Sequence, residues 1–265
     1  VQAVLRYNLK NLHKEEQEKA EAERQAEQQQ MQVIKNRMLE AELQNKINDL
    51  NDKIKEHSGL KYWQTEYSIL ESPGESEIPN GNGNKRDLGM QTALFVARTI
   101  HNDLTLVNAS SWSWWTALTR ADYKDGLVYL DDGTNNGSQV TDYCKKDGFA
   151  RDSKLMWMLG NYSFFVRPGM KRVAVITENP DPEKESKDVM ISAYKDGSSK
   201  KIVLVAVNVG SVNRKYNLQD LKLKNQTLTP YTTSETSNLG KGTAIKTNEI
   251  VVPAKSVVTF VGELE

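Results

Sequence analysis

The stretch LKYWQTEYSIL at residues 60–70 decides how the chain is read. Within it, Lys61–Ser68 (KYWQTEYS) is rich in aromatic residues and reads as a strand. The segment SPGESEIPNGNGN at 72–84 is crowded with Gly, Pro and Asn and reads as a loop. Asp87–Leu104 then sets Met90, Leu94, Ala97, His101 and Leu104 at spacings of 4, 3, 4 and 3, the period of one helix face. Thr105–Trp115 is a second apolar, aromatic strand. Lys154–Val166 is a further helix, ended by Arg167-Pro168-Gly169. The run from 60 to 166 is therefore β-α-β-α, which predicts parallel strands joined by helical crossovers.

Upstream the texture changes. Residues 1–58 hold no Gly, no Pro and one aromatic residue, Tyr7. From about Lys14 to Glu56 the residues are mainly Glu, Gln, Lys, Ala and Asn, and a long helix is expected. Leu43, Ile47, Leu50 and Ile54, spaced 4, 3 and 4, form a heptad seam. Met31, Ile34, Met38 and Ala41 form another, out of register with it. Two readings stay open: a solvated helix leaning on the next domain, or a coiled-coil helix that mediates self-association. Ser58-Gly59 is a helix stop.

Downstream of Pro168 the candidates are short strands: Val173–Thr177, Val189–Tyr194, Ile202–Val209, Gln226–Thr232 and Val257–Val261. Turns of Gly, Asn and Asp separate them, the spacing of an antiparallel sandwich. Pro230 demotes the fourth to an edge strand at best. The expected domains are 1–58 (charged helix), 59–167 (α/β) and 168–265 (β-sandwich). Asn108, Asn136, Asn161 and Asn225 head N-x-S/T sequons, but Asn108 falls in a strand that looks buried, so the set carries no weight as glycosylation sites.

Composition excludes several classes. The 265 residues hold 35 Lys+Arg and 35 Asp+Glu, a formal net charge of zero, which gives no case for a nucleic-acid or anionic-membrane partner. No run reaches the roughly 18 apolar residues of a membrane span. Cys144 is the only cysteine and the histidines are His13, His57 and His101. An intrachain disulfide is excluded and a metal site is not expected. No cofactor is expected either. The chain begins at Val1 without an apolar leader, which reads as processed or cut.

The chemistry gathers near the first strand. Glu66 lies late in KYWQTEYS, and in α/β barrels the active site forms at the C-terminal ends of parallel strands. The second strand brings Trp112, Trp114 and Trp115 close to the same level. Trp112 and Trp114 share a face, because strand side chains alternate. Flat indole faces stack on sugar rings, and a carboxylate attacks or stabilises an oxocarbenium-like centre. The same residues also suit an ion pair and an aromatic core, and the pattern alone does not choose.

A resemblance does choose. LKYWQTEYSIL at 60–70, RDLGMQTALFVARTIHNDLTLVNASSWSWWTAL at 86–118, YKDGLVYLD at 123–131 and SKLMWMLGNYSFFVRPGMKRV at 153–173 resemble glycoside hydrolase family 30, in its order and spacing. The tail VVPAKSVVTFVG at 251–262 resembles that family's closing sandwich strand. The nearest likeness is to the endo-β-1,6-galactanase-like branch. The resemblance implies a (β/α)8 barrel with a β-sandwich side domain, and here the last two βα units of the barrel. It implies retaining hydrolysis of a β-linked glycan by two glutamates, with β-1,6-galactan suggested by the branch. Glu66 takes the place of the nucleophile on barrel strand 7. Trp114 and Trp112 match the sugar-lining tryptophans of strand 8, and Tyr67 helps hold the site. It also implies a secreted, periplasmic or cell-surface location.

The sequence departs from the family at one point. The acid/base glutamate belongs to an N-E motif on barrel strand 4, and no such strand precedes Glu66. Asn248-Glu249 lies in the sandwich and is rejected. Barrel strands 1–6 have no counterpart, since only 60–166 shows the pattern. A non-catalytic carbohydrate-binding or interaction protein with a helical stalk is the competing reading.

Overall fold

The computed structural model describes residues 2–57, 59–70, 78, 85–131, 148–176, 182–218 and 221–265. Cys144, Asn136, Ser58 and most of the 72–84 loop lie outside them. The chain divides into two compact units, 1–60 and 61–265.

The first unit is one helix, α1 (Gln2–Glu56), which starts well before the expected Lys14. Glu42–Lys46, Asp49–Lys53 and Asp52–Lys55 pair at 2.7, 2.8 and 2.9 Å along it. Such exposed pairs contribute a few tenths of a kcal/mol each. Ile47, Leu50 and Ile54 are half-buried, and no described side chain of α1 is buried. Past the helix end, Gly59 takes a φ of 97°, the left-handed region that glycine tolerates best.

The second unit opens with the β-α-β motif that its sequence predicts. Strand β1 (Trp63–Tyr67) pairs in parallel with β2 (Ser111–Trp114), and α2 (Met90–Thr105) makes the crossover. The helix runs to Thr105, whose hydroxyl donates to the His101 carbonyl at 2.7 Å, so β2 starts later than expected. Asn108, expected in a buried strand, is instead exposed in the connecting loop at φ 55°. There it accepts a hydrogen bond from Arg172. Ile78, the described residue of the 72–84 loop, is buried in the core.

A small sheet follows that the sequence did not reveal: β3 (Leu118–Thr119), β4 (Val128–Asp131) and β5 (Phe149–Asp152). Helix α3 (Lys154–Ser163) starts at Ser153, whose side chain accepts from the Met156 amide at 3.2 Å. That is an ordinary N-cap.

The rest is mostly sheet: β6 (Lys171–Val173), helix α4 (Pro182–Ser186), β7 (Val189–Lys195), β8 (Lys201–Asn208), β9 (Arg214–Tyr216), β10 (Thr227–Ser234), β11 (Ser237–Lys241), β12 (Ile245–Lys246), β13 (Ile250–Val252) and β14 (Ser256–Glu263). An antiparallel sheet runs in the order β11-β10-β14-β8-β7-β6, with β12 also on β10, and β9 pairs with β13 in a second sheet. A partial barrel joined to a β-sandwich is the architecture.

Strand β8 shows why the large sheet is central. Val203, Val205 and Val207 point to one face and pack with Val96, Leu94 and Met158 of α2 and α3. Ile202, Leu204 and Ala206 point to the other and pack with Ile250 and Val252 of β13. Both faces are covered, so the strand reads as an unbroken apolar run. The core continues past Arg167-Pro168-Gly169. Buried Asn161 of α3 donates to the Tyr231 carbonyl at 2.9 Å and to Thr259 Oγ1 at 3.0 Å. Thr259 Oγ1 in turn lies 2.7 Å from the Asn161 carbonyl.

Pro230 corrects an expectation. Its strand, β10, is interior, between β14 and β11. The proline is tolerated because β12 pairs only with Thr227 and Leu228, and β11 begins to pair at Tyr231. Pro230 sits in the gap, where no ladder donor is required, and its carbonyl still accepts from Gly242 N at 2.8 Å.

Candidate active site

Glu66 stands near the C-terminal end of β1 and is exposed. In the register, Gln64 pairs with Trp112 but Tyr67 pairs with Trp114. Thr65 and Glu66 thus face a single residue, Ser113, across a bulge. Bulges re-aim side chains and recur beside active sites. This one is tied from within: Tyr62 OH donates to Gln64 Oε1 at 2.7 Å, and Gln64 Nε2 donates to the Glu66 carbonyl at 2.8 Å.

The structure brings the three expected aromatic residues together. Trp112 and Trp114 stack at 6.2 Å with 19° between ring planes. Tyr67 lies 5.8 Å from Trp112 and 6.1 Å from Trp114. All three pack against the core that holds α2 and α3. Both indole N–H groups are used: Trp112 Nε1 donates to Asp103 Oδ2 at 2.8 Å, and Trp114 Nε1 to the Asp125 carbonyl at 2.7 Å.

Thr65 and Glu66 are exposed, whereas Tyr67 beside them is half-buried and packs with the indoles, so the carboxylate stands on the solvent side of β1. Trp115 follows β2 directly. Its amide continues the ladder, donating to the Tyr67 carbonyl at 3.0 Å, and its indole is 46% exposed. Trp115 is outside the sequence candidates, and its exposed indole beside the end of β1 becomes visible only with the pairing of β1 and β2.

Two carboxyls nearby are held above the usual carboxylate range. Burial pushes Asp103 up, and its hydrogen bond from Trp112 opposes the shift. Burial also pushes up Asp125. The stacked indoles reach the Asp103 carboxylate, whereas Trp114 reaches only the main-chain carbonyl of Asp125, whose carboxylate is bonded by Thr119. The end of β4 is braced by charge: Asp131 is 1% exposed and accepts from Arg86 Nη1 at 2.8 Å and from Arg151 Nε of β5 at 2.6 Å. Two cavities, of about 620 and 820 Å³, open elsewhere, and neither is lined by Glu66 or the aromatic trio.

Residues 37–129 match the model of O-glycosyl hydrolase family 30. The glucuronoxylanase XynC of Bacillus subtilis is 30% identical over 209 residues, which are 77% of this chain and 40% of that protein. Over residues 37–129 the chain is glycoside hydrolase family 30 sequence. A conserved exported protein from Bacteroides fragilis is 32% identical, with a TM-score of 0.68 over 81% of this chain and 42% of its own. A family 30 endoxylanase from Clostridium papyrosolvens shares the fold at a TM-score of 0.51 and 22% identity, over 79% of this chain and 43% of that one. The chain thus spans about two fifths of the length of these family 30 relatives. The family match starts at Arg37, inside α1, and runs through β1, α2 and β2 to Tyr129 in β4. The end of α1 therefore falls within family 30 sequence.

Proposed function

We propose that this chain carries the nucleophile half of a retaining glycoside hydrolase that cleaves a β-linked polysaccharide, with Glu66 as nucleophile. The observation that carries it is Glu66 itself. It is exposed, aimed by a tied bulge at the C-terminal end of a parallel strand, and set in the matched family 30 span. Glu66 attacks the anomeric carbon and the glycosidic C–O bond breaks. A second carboxyl, roughly 5–5.5 Å away in this chemistry, gives its proton to the departing oxygen. That carboxyl then deprotonates the water that releases the sugar.

Beside the end of β1, the exposed Trp115 offers the indole on which a sugar ring stacks. Tyr67, Trp112 and Trp114 act from behind as the aromatic layer that fixes the ends of β1 and β2, and touch substrate only where a ring edge reaches the cleft. The names of the relatives favour a xylan over the β-1,6-galactan suggested by the sequence. Residues 59–167 are read as the last two βα units of the barrel and 168–265 as its side domain. An extracytoplasmic location fits the exported Bacteroides relative. Among the described residues no helix is long and apolar enough to cross a membrane. The half-buried seam Ile47, Leu50, Ile54 would carry helix-mediated self-association, which sedimentation velocity over rising concentration reads directly.

The test is a 2-deoxy-2-fluoro β-xylobioside with a dinitrophenolate leaving group, which departs without a proton and traps the covalent intermediate. Peptide mass spectrometry is expected to find the adduct on Glu66, and none in Glu66→Gln. An adduct on another carboxylate would reassign the nucleophile.

A further inference from the structure

The cavity of about 620 Å³ lies in the β-sandwich and shares no residue with the Glu66 site. Its volume is within the roughly 300–1,000 Å³ of small-molecule sites. Its floor is apolar, with Val189 and Ile191 of β7 beside Val175 and Val212. Tyr216 of β9, half-buried, supplies a ring at one wall.

The rim is charged, with Lys184, Glu185 and Lys187 beside Asp188 and Arg214, and the last two are fixed in advance. Arg214 is gripped by Asp188 through two contacts, Nε to Oδ1 at 2.9 Å and Nη2 to Oδ2 at 2.7 Å. That fork uses one edge of a planar guanidinium, which carries five N–H donors, and its charge is balanced by its partner. Asp188 also helps burial push the Tyr216 hydroxyl up, so the phenol stays protonated and able to donate.

The turn that closes the cavity, Gly210 to Val212, is anchored from below. Asn208, fully buried, donates to the Val212 carbonyl at 3.0 Å and the Val252 carbonyl at 3.1 Å. Its Oδ1 accepts from the Gly210 amide at 2.9 Å. A Cβ on Gly210 would come within 2.8 Å of Asp188 Oδ1, so only glycine leaves the Arg214-Asp188 pair undisturbed.

We propose that this cavity is a second carbohydrate-binding site, distinct from the cleavage site, that takes a segment of a β-linked glycan. An aromatic ring against an apolar floor suits the C–H face of a pyranose, and the Arg214-Asp188 pair offers donors and acceptors to its equatorial hydroxyls. The proposal rests on the reading that the protein works on a β-linked glycan, but it does not depend on Glu66. Such a site would hold the polymer while the barrel cuts it, raising the local concentration of chain ends and loops.

The experiment is titration of β-1,4-xylohexaose into the full chain, followed through the Arg214 Nε–H resonance and by calorimetry, with maltohexaose as the α-linked control. Xylohexaose is expected to shift the Arg214 resonance and maltohexaose is not. Tyr216→Ala should weaken binding about tenfold, the equivalent of losing one aromatic contact and its burial. Tyr216→Phe should retain most of it, which separates loss of the ring from loss of the fold. Glu66→Gln should leave the affinity unchanged. Three results would overturn the proposal: no binding of xylohexaose, binding untouched by Tyr216→Ala, or binding abolished by Glu66→Gln. The last would place the ligand at the cleavage site, and the covalent label on Glu66 tests that site independently.

Discussion

A single buried imidazole gives this protein a pH dependence of known sign. His101 of α2 is buried, and its Nδ1 has no hydrogen-bond partner. Burial first, and the positive charge of Arg172 second, lower its pKa from 6.5 to about 4. The unfolded chain takes up the proton near pH 6.5, whereas the folded chain resists until about pH 4. Between those values the unfolded state binds more protons, so stability is full above about pH 6.5 and is lost as pH falls. The loss at pH 4.5 is about 2.5 kcal/mol. Urea unfolding of wild type and His101→Gln at pH 7.5 and pH 4.5 measures it. The variant should lose less on acidification by roughly that amount, since Asp103, Asp125 and the other carboxyls are common to both. Equal losses would mean the imidazole is protonated in the folded state. The residue scale also shows what the sequence discloses. WQTEY points to Glu66 only through the family resemblance, whereas the spacing of Trp112 and Trp114 is enough to predict that they share a face. The bulge that sets Glu66 is not legible, because only the pairing of β1 with β2 reveals its position.

At the scale of elements, legibility follows how strongly each element is patterned. Helices α2 and α3 have a helical period and clear ends, and both lie where their spacing puts them. Strands β3, β4 and β5 are short, and two of them flank a stretch of Gly, Asn and Asp, so local propensity carries little signal. Strand β10 departs from its sequence expectation for a different reason. A proline argues against a central strand only where its missing N–H would leave a ladder acceptor unmet, and the handover from β12 to β11 leaves none at Pro230. The contact between α3 and the sandwich is likewise unannounced in sequence. Asn161 looks like a helix-surface amide or a sequon, yet it is fully buried and holds β10 and β14 at once. Asn161→Ala removes two donors from buried acceptors, a cost of roughly 2–3 kcal/mol. The urea midpoint should fall with the m-value unchanged, because the loss is of stability and not of compactness. A change below about 0.5 kcal/mol, the scale of an ordinary surface substitution, would show that α3 does not hold the sheet through this amide.

For the whole molecule, geometry and length point the same way. A parallel sheet is covered on both faces, yet here it has two strands, and Trp63 and Trp115 at its ends are 60% and 46% exposed. The chain spans about two fifths of its family 30 relatives. Retaining hydrolysis needs a nucleophile and a separate acid on opposite sides of the scissile bond. A carboxylate that attacks cannot also protonate the leaving oxygen, so the proposed role of Glu66 calls for a second carboxyl; of the two raised by burial, Asp103 is already held by the Trp112 indole and Asp125 by Thr119. Purified 1–265 is therefore expected to release little or no reducing sugar from xylan. A chain that also carries six upstream βα units with an Asn-Glu strand is expected to release it, and to lose that activity on Glu66→Gln. A reducing-end assay on the two chains separates the cases. Turnover by 1–265 alone would locate the acid within this sequence, and Asp103→Asn and Asp125→Asn would then be the variants to identify it.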